Sequence, residues 1–305
     1  MRAHPYAVYD AFTELPFGGS QAAIVLDAGD IDADMRLRIA KELGLPATCF
    51  VTAVSGTTVT ARFVSTEREY PMCGHGTICL MTHLLEDGRL RWGADGKLEI
   101  DLILPTKKAP VEISRREDGR AMVMLEIDPP EFRNDQPDVK ELASLLGLEA
   151  ADIEQTLPIE TAIGDFVHLV VPINGLANIQ SITPDFSGIT AYCRKHGFET
   201  IACYSRETVQ PGCDIHVRDF CPAVGVPESA AAGTTNAALA SYLIRHGLVH
   251  ESKFGATIIN AEQGLEIGRP STIQSCAHLN NGVINRLQVG GVATKIIEGQ
   301  LHVPI

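Results

Sequence analysis

Cys73 and His75 are the residues of this sequence whose types and spacing are best suited to proton transfer. They lie two positions apart in the glycine-rich stretch 72–77, directly before a segment with the apolar spacing of a helix. The dipole of a helix start favours a thiolate, and a lowered thiol pKa makes cysteine a competent base for a weakly acidic C–H group. We therefore predict Cys73 as a base and His75 as a proton donor or shuttle. The alternatives are a buried core cysteine and a histidine that only bonds the backbone of the turn.

Two glycine-rich turns offer backbone N–H groups and hydroxyls to an anionic ligand. Glycine lets a ligand approach the backbone closely, and a helix start behaves like about half a positive charge. The alternatives are glycines that serve only turn conformation and hydroxyls that only cap helices. Glu228 is the acidic residue nearest the second turn and is a reserve candidate. The predicted substrate-binding residues are Gly74, Gly76, Thr77, Gly233, Thr234, Thr235, Ser229 and Ser20.

The two turns belong to an internal repeat. Residues 73–88 read CGHGTICLMTHLLEDG and residues 232–247 read AGTTNAALASYLIRHG, with their apolar positions in register. Upstream, segments 41–51 and 194–204 each run from a helix end through glycine into an apolar strand. The repeat predicts two α/β halves related by duplication, with helices that begin near Gly76 and Thr234 and direct both helix starts at one small anion.

A charged turn in the middle of the chain marks the predicted domain boundary. The cluster RREDG begins at Arg115, between two apolar strand patterns. We therefore divide the chain into residues 1–115 and residues 116–305, and leave open a return of the last strand to the first half.

Composition excludes several classes of protein. The 305 residues carry a net charge of −13 and no Lys/Arg-rich run, which argues against a nucleic-acid partner. No run of about 18 apolar residues and no apolar leader is present, so no membrane association is expected. The eight cysteines are scattered and lack metal-binding spacing, which predicts a reduced, cytoplasmic protein without a metal site.

Seven short motifs are spread over nearly the whole chain. They are Phe12–Thr13 with Pro16–Gly19, Cys73–His75, Arg218 with Phe220 and Pro222, Glu228–Thr234, Gln263–Ser271, Val289–Ala293 and Gly299. In these residues and their order the chain resembles the PhzF-like (phenazine-biosynthesis isomerase) family. The resemblance implies an α+β, diaminopimelate epimerase-like fold with two pseudo-twofold-related βα half-barrels, each around a central helix, and an active site in the cleft between them. It also implies a homodimer and chemistry without a cofactor.

The sequence departs from the resemblance at the positions that carry acid–base groups. The turn 71–77 is similar to the first catalytic turn of proline racemases, in which a cysteine from each half flanks the substrate carbon. The position of the second thiol is Ala232 here. The positions of the two carboxyl groups of PhzF-like isomerases are Ala47 and Ser229. Cys73 and His75 are the proton-carrying groups that remain.

These observations predict a cofactor-independent isomerase that abstracts and transfers a proton on a small carboxylate or amino-acid-like substrate. One retained thiol suits a one-base reaction, with two helix N-termini holding the carboxylate and the developing charge. The alternatives are an amino-acid racemase or epimerase with an unrecognised second acid, a hydroxy-amino-acid dehydratase, and a non-catalytic protein of the same fold that binds small carboxylates.

Overall fold

A computed structural model describes residues 1–249 and 255–304, and within them the chain forms six α-helices and eighteen strands. The helices are α1 (Ala33–Leu43), α2 (Gly74–Glu86), α3 (Val139–Leu146), α4 (Gly175–Ser181), α5 (Phe186–His196) and α6 (Gly233–Arg245). The first nine strands are β1 (Arg2–Ala11), β2 (Ser20–Val25), β3 (Ala47–Ser55), β4 (Thr58–Val64), β5 (Glu69–Tyr70), β6 (Lys97–Ile103), β7 (Lys108–Arg115), β8 (Ala121–Ile127) and β9 (Glu131–Asn134). The others are β10 (Glu160–Ile163), β11 (Val167–Pro172), β12 (Thr200–Ser205), β13 (Ile215–Phe220), β14 (Glu228–Ser229), β15 (Ala256–Gln263), β16 (Ser271–Asn280), β17 (Val283–Gly291) and β18 (Ala293–Val303).

The chain divides into two compact units. Unit 1 contains residues 1–126 and 290–305, and unit 2 contains residues 127–289. The division falls after residue 126 rather than at the expected 115, because β7 turns back into β8 and pairs with it as a hairpin. The last strand, β18, belongs to unit 1 because it pairs with β1 along nearly its whole length.

The two units repeat one strand order. In unit 1, β1 and β2 are antiparallel, β2 and β3 are parallel, and β3 and β4 are antiparallel. Strand β4 then pairs antiparallel with β5 and parallel with β6. In unit 2, strands β10 to β15 pair in the same order and with the same directions. The predicted duplication is therefore confirmed in strand order, strand direction and helix position.

The central helices α2 and α6 occupy equivalent places, and both are buried along most of their length. Each has thirteen residues. Apolar side chains surround α2, which packs on β1, β2, β3 and β18, while α6 packs on β11 and β16 of its own unit. A helix that is apolar on all sides requires this enclosure by strands. None of the helices in the described residues is long and apolar enough to cross a membrane.

Helices α1 and α5 are also equivalent and end in the same way. Asp32 and Asp185 cap their N-termini by accepting backbone hydrogen bonds. Gly44 and Gly197 end them with φ angles of 64° and 77°, the left-handed region that favours glycine. Each glycine then leads the chain into a buried strand, β3 or β12, next to the central helix of its unit.

Candidate active site

Helices α2 and α6 begin with the same backbone geometry. Cys73 precedes α2 with φ −142° and ψ 110°, and Ala232 precedes α6 with φ −133° and ψ 112°. The hydroxyl of Thr77 donates a hydrogen bond to the Cys73 carbonyl at 2.8 Å. At the equivalent position the Asn236 amide donates to the Ala232 carbonyl at 2.9 Å. The two starts are built alike, and the methyl group of Ala232 stands where unit 1 has a thiol.

The thiol of Cys73 lies against the imidazole of His75. The Sγ atom is 3.5 Å from Nδ1 and 3.7 Å from Nε2 of the ring. The backbone carbonyl of Gln21, in β2, accepts a hydrogen bond from the same ring. A neutral imidazole has one donor and one acceptor nitrogen. One ring nitrogen donates to the Gln21 carbonyl, so the other nitrogen is the acceptor for the thiol proton.

Burial keeps both members of this pair uncharged at neutral pH. It raises the pKa of Cys73 to about 12, although a hydrogen bond from the Gly76 backbone N–H acts in the opposite direction. It lowers the pKa of His75 to about 4, although the Gln21 carbonyl favours the charged ring. The expectation that the helix start lowers the thiol pKa is therefore wrong. Loss of hydration raises this pKa by more than the N–H groups at the helix start lower it.

Packing leaves little room for a larger residue at two of the predicted ligand-binding glycines. A Cβ atom at Gly76 would lie 2.9 Å from Cε1 of Phe63 and 3.1 Å from the Sγ atom of Cys73. A Cβ atom at Gly233 would lie 3.2 Å from Cγ1 of Val289. Neither glycine has a positive φ, so these positions need the space that glycine leaves rather than its conformational freedom.

The predicted hydroxyl ligands differ in their burial and in the hydrogen bonds that they form within the chain. Thr235 is buried and donates to the carboxyl group of Asp219 at 2.9 Å. Thr234 is half-buried and lines a cavity of about 10 Å³, room for about one water molecule. Ser20 and Ser229 are half-buried. Contact of these residues and of Gly74 with a substrate stays a prediction.

Glu228 is a buried counter-ion rather than an available acid. Its two carboxylate oxygens accept hydrogen bonds from Arg218 at 3.0 and 2.8 Å. The same guanidinium donates to the carbonyls of Ile179 and Ile182. Because Arg218 occupies both carboxylate oxygens, Glu228 serves as the counter-ion of Arg218 rather than as a reserve proton carrier.

Sequence reasoning missed a second set of buried titratable groups in unit 2. His216 lies between Glu262 and Glu266, with ring nitrogens 2.7 and 3.0 Å from their oxygens. Burial alone would lower the pKa of His216, but the two carboxylates raise it to about 9. Asp219, on the same strand, is buried and accepts a hydrogen bond from the Thr235 hydroxyl at 2.9 Å. Within the described part of the chain no three or more His, Cys, Asp or Glu side chains are arranged to hold a metal ion.

Solved structures with the same fold identify the general class of the chain. A PhzF-family phenazine biosynthesis protein of Bacillus anthracis superimposes with a TM-score of 0.88 at 24% identity, covering 99% of this chain and 100% of that one. A hydroxyproline epimerase from Agrobacterium vitis superimposes with a TM-score of 0.60 at 10% identity, covering 98% and 92%. The chain therefore has the diaminopimelate epimerase-like fold that the sequence predicted.

Sequence comparison identifies the family. The family model described as phenazine biosynthesis-like protein matches residues 9–299. An uncharacterized isomerase of Bacillus subtilis is 30% identical over 269 residues, which cover 87% of this chain and 88% of the relative. The trans-2,3-dihydro-3-hydroxyanthranilate isomerase of Pseudomonas chlororaphis is 28% identical over 294 residues, covering 94% and 95%. The chain belongs to the phenazine biosynthesis-like (PhzF) family.

Proposed function

We propose that this chain is an isomerase that removes a proton from a small carboxylate substrate and returns it to another carbon, with Cys73 as the base that contacts the substrate. The observation that carries the proposal is the thiol–imidazole contact of 3.5 Å at the start of a buried helix. Curated members of the family are named isomerases, which supports the reaction class. The anthranilate in one of these names is a carboxylate, which supports the substrate class.

The proton transfer begins from a neutral thiol and a neutral imidazole. The acceptor nitrogen of His75 takes the thiol proton while Cys73 Sγ takes a proton from the substrate carbon. The old S–H bond and the C–H bond break, a new S–H bond and an N–H bond form, and the C–H electron pair stays on the substrate as an enolate. The imidazolium that results lies next to the negative charge that develops, and their attraction offsets the cost of charging a half-buried ring.

The return of the proton completes the isomerisation. Cys73 gives its proton to a second carbon of the substrate, and His75 returns the shared proton to sulfur. One proton has changed its carbon and a double bond has moved, while no group has been oxidised or reduced. The backbone N–H groups in the first turn of α2, where Cys73 and His75 lie, bind the substrate carboxylate, because helix N-termini leave such groups unpaired.

Single-residue variants test this assignment. The probe is trans-2,3-dihydro-3-hydroxyanthranilate, followed by amino, hydroxy and unsaturated carboxylic acids. Cys73→Ser is expected to keep the fold and lose about 10²–10⁴-fold in kcat, because a hydroxyl is far less acidic than a thiol. His75→Ala should lower kcat more than it raises KM. The matched control is Cys213→Ser, which changes a half-buried thiol outside the turn.

The outcome separates the proposal from its alternatives. A Cys73→Ser protein with parental turnover contradicts the thiol assignment. Inversion at a stereocentre without a moved double bond indicates a racemase, and loss of a β-hydroxyl indicates a dehydratase. Tight binding of carboxylates without turnover of any of them indicates a binding protein.

A further inference from the structure

The loop that joins β1 to β2 holds two aromatic residues in an unfavourable backbone conformation. Phe12 and Phe17 have φ angles of 65° and 69°, in the left-handed region where a bulky side chain is strained. Burial of the side chain offers no compensation at Phe17, because this side chain is 69% exposed. Strain of this kind persists only where surrounding contacts fix the backbone, and it is concentrated at functional sites.

A buried carboxyl group fixes the backbone of Phe17. Asp10, on β1, is fully buried, and its Oδ2 atom accepts a hydrogen bond from the Phe17 backbone N–H at 2.7 Å. Hydrogen bonds from backbone N–H groups to buried carboxyl groups are strong, so this bond holds the left-handed conformation in place. Gly19 leaves no room for a Cβ atom against the Ala11 carbonyl, so the end of the loop packs directly on the backbone of β1.

The loop leads into the residue that holds the imidazole of His75. Gly19 is followed by Ser20 and Gln21, and the Gln21 carbonyl accepts the hydrogen bond from the His75 ring. Asp10 is directly opposite Gln21 in the antiparallel pair of β1 and β2. Asp10 therefore borders Gln21 on the neighbouring strand and also fixes the loop that leads to it.

Asp10 also lies close to the helix that carries the thiol and the imidazole. Burial raises the pKa of Cys79, in α2, and the charges of Cys73 and Asp10 raise it further. Such an effect requires the Asp10 carboxyl group to lie near the first turns of α2. All of these residues belong to unit 1, so contacts within one compact unit connect Asp10 with the Cys73–His75 pair.

We propose that Asp10 is a positioning residue for the Cys73–His75 pair. It holds the left-handed turn at Phe17, the turn sets the place of the Gln21 carbonyl, and this carbonyl determines which nitrogen of His75 donates and which accepts the thiol proton. Asp10 itself carries no proton in the reaction. This inference rests on the proposed function and deepens it, because it names the group that keeps the imidazole ready to accept the thiol proton.

Removal of the acceptor, followed by relief of the strain, tests the proposal with trans-2,3-dihydro-3-hydroxyanthranilate and the same panel of acids. Asp10→Ala should lower kcat by about 10–10²-fold and leave KM within about threefold, because it misplaces the imidazole and not the substrate. Asp10→Asn keeps an acceptor oxygen and should stay within about threefold of the parent in kcat. Glycine adopts the left-handed conformation without strain, so adding Phe17→Gly to Asp10→Ala should restore kcat by at least about threefold.

NMR of protein labelled with heavy nitrogen at histidine gives a second readout that does not depend on turnover. The His75 signals are those missing from His75→Ala. In the parent the ring N–H that donates to Gln21 should exchange slowly with water, and Asp10→Ala should speed this exchange by at least about tenfold. The matched control is Glu160→Ala, which removes a buried carboxyl group from unit 2 and should leave the exchange at the parental rate.

A second variant without an acceptor guards against loss of the fold. Asp10→Val removes the same oxygen, fills the space and suits a strand, so it should match Asp10→Ala in kcat and in exchange of the His75 ring proton. Unfolding of both variants overturns the inference, because Asp10 would then be needed for the fold as a whole. Equal losses in Asp10→Ala and Asp10→Asn, or no restoration by Phe17→Gly, also overturn it.

The failures of the two proposals look different. Turnover of Asp10→Ala within about threefold of the parent, with Cys73→Ser inactive, overturns this inference and leaves the thiol assignment intact. A parent that neither exchanges nor converts any acid of the panel overturns the proposed function. The His75 signals then decide this inference alone: slow exchange in Asp10→Ala overturns it, and fast exchange supports it.

Discussion

Replacing Asp219 with asparagine is expected to stabilise the protein at neutral pH, even though it alters a hydrogen-bonded side chain. Burial raises the pKa of this carboxyl group from its ordinary 3.8 to about 6, so above pH 6 the folded chain holds a buried negative charge. Asparagine has nearly the same shape and accepts the Thr235 hydroxyl without carrying a charge. The variant therefore removes the charge and keeps the packing.

The size of the effect follows from the two pKa values. Because the folded chain binds this proton more tightly than the unfolded chain, the stability that the neutral carboxyl provides is complete below pH 3.8 and is lost as pH rises through about 6. At about 1.4 kcal/mol for each pH unit, the full loss is about 3 kcal/mol. About 1.4 kcal/mol of this stability is lost between pH 5 and pH 8.

Urea unfolding of the parent and of Asp219→Asn at pH 5 and pH 8 measures this difference directly. At each pH the free energy of unfolding of the parent is subtracted from that of the variant. This difference should be larger by about 1.4 kcal/mol at pH 8 than at pH 5. Asp34→Asn, at an exposed position of α1, is the matched surface control. An equal difference at both pH values for Asp219→Asn would refute the raised pKa.

Three further predictions follow from the site. Iodoacetamide should alkylate the half-buried Cys213 and Cys276 before Cys73, because burial keeps the Cys73 thiol protonated. Peptide mass spectrometry measures the order of labelling, and early labelling of Cys73 would contradict its raised pKa. Glu228→Gln should lower the free energy of unfolding by about 3–5 kcal/mol, because it removes the bidentate partner of the buried Arg218 guanidinium and leaves it beside the Glu266 carboxylate at 4.0 Å. A loss below about 1 kcal/mol would contradict that role. Gly76→Ala should lower kcat, because the added methyl group displaces the Cys73 thiol or its aromatic neighbour; parental kcat would show that the thiol position is not critical.

The repeat made much of the fold predictable. The matched segments 73–88 and 232–247 predicted two equivalent buried helices, and the structure has them at Gly74–Glu86 and Gly233–Arg245. Helix periodicity and glycine stops are local signals, so they can be read without knowing how strands pair. The domain boundary was harder to predict, because the pairing of β7 with β8 joins segments on both sides of the charged turn.

The chemistry of the site was predictable only in part. The sequence placed Cys73 and His75 together, but the direction of the thiol pKa shift depends on burial, which a single sequence does not reveal. Asp219 carries no motif of its own. Its burial, its contact with Thr235 and its raised pKa are visible only in the three-dimensional structure.

Hydrogen–deuterium exchange followed by proton NMR tests the central claim most directly. The parent protein is incubated in deuterated water with trans-2,3-dihydro-3-hydroxyanthranilate and, separately, with amino, hydroxy and unsaturated carboxylic acids. Proton transfer through the Cys73–His75 pair predicts loss of a C–H signal at a carbon α or vinylogous to the carboxylate, at a rate that Cys73→Ser lowers by about 10²–10⁴-fold. Exchange at the parental rate in Cys73→Ser, or carboxylate binding by the parent without exchange of any substrate proton, would contradict it.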